Sequence, residues 1–141
     1  ELDLHKMREA AKHIVGTHDF RCFETQYPNK ATSVRTVEHL TIECQSMWDV
    51  WSAFDFESQQ STVADTDEVL CLEISADGFL YNMVRAITGT LVDVGRGRYQ
   101  SDDVERMIAE GNRSLAGPTA PAHGLYLVSV DYDMNNLRPK D

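Results

Sequence analysis

The sequence predicts an α+β fold, an antiparallel sheet with helices packed on one face. Three observations carry this. The element order reads helix, strand, strand, helix, helix, strand with no βαβ repeat. Two segments alternate apolar and polar residues at strand spacing, and two others carry apolar stripes at helical spacing. The 141 residues suit one domain, and 42% apolar with 26% charged residues is a globular composition, not that of a disordered, collagenous or coiled-coil chain.

The first helix is capped by Asp3, carries Leu4, Met7, Ala11, Ile14 and Val15 at helical spacing, and is expected to stop at Gly16. Residues 17–30 mix Phe20, Phe23 and Tyr27 with polar residues and Pro28, which predicts an ordered loop packed on the core. A strand follows over 33–44, with Val34, Thr36, Glu38, Leu40, Ile42 and Cys44 on one face and Arg35, Val37, His39, Thr41 and Glu43 on the other. Residues 69–76 read as its partner. Between them, a long hairpin insert at about 45–68 carries Trp48, Trp51, Phe54 and Phe56 at its base and a polar run at its tip.

Gly78 breaks the chain before a central helix over 79–94, whose stripe is Leu80, Met83, Val84, Ile87, Leu91 and Val94. Gly95 ends it. Ser101 is expected to cap the next helix, with Asp102 and Asp103 in its first turn and Gly111 at its close. A stiff loop, Pro118-Thr119-Ala120-Pro121, leads into a last strand over 124–133, and the polar tail begins at Met134.

The net charge of −10 is local: residues 36–84 hold ten acids and no Lys or Arg, leaving thirteen acids and thirteen bases elsewhere. A phosphate within a Debye length of about 8 Å feels nearby charge, so the global balance neither requires nor excludes RNA. Cys22, Cys44 and Cys71 are odd in number and lack metal spacing, which predicts reduced thiols in a cytosol. There is no apolar run of membrane length and no basic, apolar leader, so a soluble, cytoplasmic protein without a membrane partner is expected. Beginning at Glu1 in what reads as a first helical turn, the chain is expected to be part of a longer one. Five histidines show no metal spacing, and there is no phosphate-binding glycine loop, nucleophile elbow or Ser/His/Asp set.

Arg85 is the candidate catalytic-site residue, as the only charged residue between Gly78 and Val92. It lies roughly 140° from Leu80 on a helical wheel, beside Tyr81, Thr88 and Gly89. Such a guanidinium needs a carboxylate or phosphate, because an unpaired buried charge costs several kcal/mol. A snorkelling surface arginine or a structural ion pair is the alternative. Gly95-Arg96-Gly97-Arg98 presents two more guanidinium groups just beyond the helix C-terminus, to grip phosphate or to satisfy terminal carbonyls.

The segments Gly78-Phe79-Leu80-Tyr81-Asn82-Met83-Val84-Arg85, Gly89-Thr90-Leu91, Val94-Gly95-Arg96-Gly97-Arg98, Arg113-Ser114-Leu115-Ala116-Gly117-Pro118-Thr119-Ala120-Pro121 and Gly124-Leu125-Tyr126-Leu127 together resemble the C-terminal half of TruA-type tRNA pseudouridine synthases. Gly16-Thr17-His18-Asp19-Phe20 and Ser33-Val34-Arg35-Thr36 stand in the same order, so the resemblance covers most of residues 1–141. The insert at about 45–68 matches no part of that pattern, and Tyr81-Asn82 stands where many members have Arg-His.

The resemblance implies a two-halved α+β enzyme with its cleft across the junction. It would isomerise uridine to pseudouridine in the tRNA anticodon stem-loop, with no cofactor and no metal, as a homodimer. Its nucleophile would be an aspartate in an Arg-Thr-Asp-x-Gly-Val-His motif of an N-terminal half, which this chain lacks; Arg35-Thr36-Val37 matches two letters only. Arg85 would pair with that aspartate. Leu125 would line the pocket of the flipped base, and Arg96, Arg98, Arg35 and Lys30 would contact the tRNA backbone. The chain by itself is then expected to be inactive. Two other readings stand beside this one: a stand-alone, non-catalytic RNA-binding module, and a dimerisation domain built on the aromatic base of the insert.

Overall fold

The structure, a computed structural model, describes residues 1–25, 31–46 and 68–132. The chain forms an α+β fold. Strands β1 (Gly16–Asp19), β2 (Val34–Ser46) and β3 (Glu68–Ala76) make an antiparallel sheet in that order, accompanied by helices α1 (Leu4–Lys12), α2 (Met83–Gly95) and α3 (Ser101–Glu110). The aromatic base of the expected insert, with Trp48, Trp51, Phe54 and Phe56, and its polar tip, together with Lys30 and the tail from Met134, lie outside the described residues.

Asp3 caps α1 as expected, its Oδ1 accepting from the Lys6 N–H at 3.1 Å, and Met7, Ala10 and Ala11 are buried. The helix ends at Lys12, however, and not at Gly16. Gly16 instead opens β1 with φ +113°, a conformation that glycine adopts without steric cost. The strand itself corrects the loop expected over 17–30. Gly-Thr-His-Asp has no apolar alternation to announce a strand, and its extension is imposed by pairing with β2, from Gly16 opposite Val37 to Asp19 opposite Val34.

The β2–β3 pairing is the one the sequence predicts, but the faces of β2 differ from strict alternation. A bulge between Val37 and His39 shifts the pleat by one residue, so Val37 joins Leu40 and Ile42 on one face. Opposite them stand Ala76, Ile74 and Leu72. Val37 and Ile42 are buried and the other four pack partly buried against the core. Helix α1 lies across this face, tied to it by Arg8 Nε donating to the Ile42 carbonyl at 2.8 Å.

Helix α2 is the centre of the core. Met83, Ala86, Ile87, Leu91 and Val94 are fully buried with Phe20, Phe23, Ile14, Met7 and Val104. It starts at Met83, four residues later than expected, because Asn82 has φ 59° and cannot continue a right-handed helix. Helix α3 is capped at Gln100, one residue before Ser101, with the Gln100 N–H donating to Asp103 Oδ2 at 2.7 Å; Gly111 closes it as expected. Among the described residues no helix is long and apolar enough to cross a membrane.

The last expected strand is corrected. After a single 3-10 turn at Ala122–Gly124, residues 125–132 join no sheet, and Leu127, Val128 and Tyr132 are about two-thirds exposed or more, at 77%, 68% and 68%. Alternation supplies only the propensity for a strand, whereas a strand forms by pairing, and no described strand pairs with this segment.

Candidate functional site

Arg85 occupies the first turn of α2, where the helix dipole already places partial positive charge and where no acidic residue offsets it. Its half-buried side chain is held at two points. Nε donates to the Ala120 carbonyl at 2.7 Å and Nη1 donates to Asn82 Oδ1 at 2.9 Å. Both acceptors are neutral. Among the described residues, no carboxylate makes an ion pair with this guanidinium.

The Ala120 carbonyl is in place because the proline-bounded loop lies directly on α2. The Ala120 N–H donates to the Arg85 carbonyl at 3.0 Å, and the Gly117 N–H donates to Thr90 Oγ1 at 2.9 Å. Thr90 is wholly buried, and its own hydroxyl donates to the Ala86 carbonyl at 2.8 Å. Backbones meet so closely that a Cβ on Gly89 would stand 1.7 Å from the Pro118 carbonyl oxygen, and one on Gly117 would stand 2.7 Å from Thr90 Cα. The mid-helix glycine, which would otherwise cost α2 about 1 kcal/mol against alanine, thus buys the loop its seat. Arg113 fastens the far side, with Nη1 donating to the Gly117 carbonyl at 2.9 Å and Nη2 to Thr119 Oγ1 at 3.1 Å.

The other sequence-predicted residues that the structure describes stand on separate elements. Arg96 and Arg98 lie beyond the C-terminus of α2, roughly 16 Å or more along the helix axis at 1.5 Å per residue. Arg98 Nη1 stands 3.0 Å from Asp93 Oδ1 and Arg96 Nη1 3.7 Å from the same atom; Asp93 is buried while both arginines stay more than half exposed. Arg35 Nη1 donates to the Thr32 and Val34 carbonyls at 3.0 and 2.6 Å, and its side chain lies beside Gly78 at the turn leading to α2. Leu125, half exposed, follows the turn five residues after Ala120.

Sequence reasoning assigned no role to Asn82 or Arg113. Asn82 carried a signal, a poor helix former inside an apparent helix; Arg113 carried none beyond standing ahead of a glycine-proline loop. Of the thiols, burial pushes Cys22 up to about 12 and raises Cys71 above its ordinary range. Among the described residues no three or more His, Cys, Asp or Glu side chains are grouped to hold a metal ion.

The sequence profile of the tRNA pseudouridine synthase family matches residues 10–133. The chain belongs to this family. Its relatives include tRNA pseudouridine synthase A of Bacillus licheniformis, 44% identical over 133 residues, which are 94% of this chain and 45% of that protein. The enzyme of the same name from Acetivibrio thermocellus is 39% identical over 132 residues, 94% of this chain and 46% of the relative. That of Bacillus subtilis is 41% identical over 132 residues, 94% and 45%. The chain therefore spans somewhat under half the length of these pseudouridine synthases.

Proposed function

We propose that this chain is the C-terminal part of an enzyme that isomerises uridine to pseudouridine in the anticodon stem-loop of tRNA. It supplies Arg85 to a catalytic aspartate carried by an N-terminal half. The observation that carries the reading is the state of that guanidinium: half-buried, oriented by two neutral oxygens, at the positive end of a helix, and without a carboxylate among the described residues. Two positive sources converge there, and such an arrangement is stabilised when an anion docks against it.

The reaction breaks the bond from uracil N1 to ribose C1′ and forms one from C5 to C1′, while C5 loses a proton and N1 gains one. Arg85 takes no part in the proton balance. It keeps the partner aspartate ionised and aimed, since an opposite charge within hydrogen-bond reach lowers a carboxylate pKa by about 1 to 3 units. Leu125 lines the pocket of the flipped base, and Arg96, Arg98, Arg35 and Lys30 contact the tRNA backbone. The complete enzyme works in the cytoplasm as a homodimer.

Pseudouridine formation in unmodified tRNA is the test. The chain alone is expected to give none, and addition of a polypeptide bearing the aspartate motif of the N-terminal half is expected to restore it. Turnover by the chain alone would overturn the proposal.

A further inference from the structure

Asn82 is the one non-glycine residue with positive φ among the described residues, at 59°. It stands where a helix is ordinarily capped, yet its side chain makes no capping bond to the backbone of α2. The amide is used elsewhere. Oδ1 accepts from Arg85 Nη1 at 2.9 Å, while Nδ2 donates to Thr25 Oγ1 at 3.2 Å. The Thr25 N–H in turn donates to the Tyr81 carbonyl at 3.2 Å, fixing the segment after the Arg21–Phe23 turn against the residue preceding Asn82.

We infer that Asn82 is a positioning residue, whose left-handed backbone turns its amide onto the Arg85 guanidinium and fixes the direction of its charge without neutralising it. The inference rests on the role proposed above for Arg85. Its chemical content is the neutrality of the acceptor. Glycine would satisfy the same φ but leave Nη1 free to swing. Aspartate would keep the shape, the acceptor and the tolerance of φ, but its carboxylate would pair with Arg85 and compete with the carboxylate that Arg85 is there to receive.

The experiment uses the full-length protein containing this chain, with Asn82→Gly, Asn82→Asp and Arg85→Ala compared by kcat and KM for pseudouridine formation in unmodified tRNA, and by thermal melting. Asn82→Gly is expected to lower kcat about 10- to 100-fold through misaim of the guanidinium. Its KM should stay within about 2-fold and its melting close to the parent's. Asn82→Asp is expected to fall by a similar factor at neutral pH although it preserves the acceptor, a loss that a merely structural role for Asn82 would not produce.

Parent-like kcat in Asn82→Asp overturns the inference, whatever Asn82→Gly does to melting. So does parent-like kcat in Asn82→Gly while Arg85→Ala is inactive, an outcome that leaves the role of Arg85 standing. Activity retained by Arg85→Ala removes both.

Discussion

Gly89→Ala separates local helix propensity from tertiary seating because the two predict opposite signs. By propensity alone, alanine in the middle of α2 should stabilise the chain by about 1 kcal/mol. In the fold, the new methyl would stand 1.7 Å from the Pro118 carbonyl oxygen and 2.8 Å from its carbon, neither of them the movable end of a side chain. The loop would have to retreat by about 1.3 Å or more to reach a tolerable separation. That retreat breaks or stretches three hydrogen bonds: Ala120 N–H to the Arg85 carbonyl, Gly117 N–H to Thr90 Oγ1, and Arg85 Nε to the Ala120 carbonyl. At about 1 kcal/mol for each neutral bond and about 1.5 to 2 for the charged one, the loss is near 3.5 to 4 kcal/mol. Subtracting the propensity gain leaves a net destabilisation of about 2.5 to 3 kcal/mol. Urea denaturation of the chain reads this directly as a lower midpoint at unchanged slope, and thermal melting as a fall of roughly 8 to 12 °C for a domain of this size. A variant as stable as the parent, or more stable, would refute the seating of the loop on α2.

Arg113→Ala removes the two bonds that hold the loop from its far side and is expected to cost about 1 to 2 kcal/mol in urea denaturation. Arg113→Lys should recover less than half of this, since one ammonium does not reproduce a fork that serves two acceptors. Cys22 gives a pH dependence. Its wholly buried thiol has a folded-state pKa raised from the ordinary 9.0 to about 12, so the folded state holds its proton more tightly than the unfolded one. Its contribution is complete below pH 9 and is lost as pH rises from 9 toward 12, by up to roughly 1.4 kcal/mol per pH unit. Stability measured across that range should fall less steeply in Cys22→Ala, and equal slopes would contradict the assignment.

The hairpin and the capped first helix were legible because each announces itself locally, through alternation of β-branched residues in 33–44 and 69–76 and through Asp3 ahead of an apolar stripe. What the sequence concealed depends on partners. Strict alternation puts Val37 on the wrong face because a bulge shows only when two strands are aligned, and the sequence pattern does not announce β1 because Gly16–Asp19 is extended by its neighbour and not by its own alternation. Residues 125–132 alternate convincingly yet join no described strand. At the candidate site, Arg85 stood out as a lone cation in an apolar helix. Its two holders did not, for the Ala120 carbonyl belongs to a backbone that any residue could supply, and the Asn82 amide reaches Arg85 only through a left-handed turn. A glycine in the middle of a helix costs about 1 kcal/mol against alanine unless another backbone approaches closely, and at Gly89 the backbone of Pro118 does so.

The most direct test of the central claim compares turnover with tRNA affinity in the full-length protein carrying Arg85→Ala. A residue that aims a carboxylate, and does not grip substrate, should lose kcat by about 100-fold or more while the Kd for tRNA shifts by less than about 3-fold. Retained turnover, or affinity falling in step with turnover, would contradict the account.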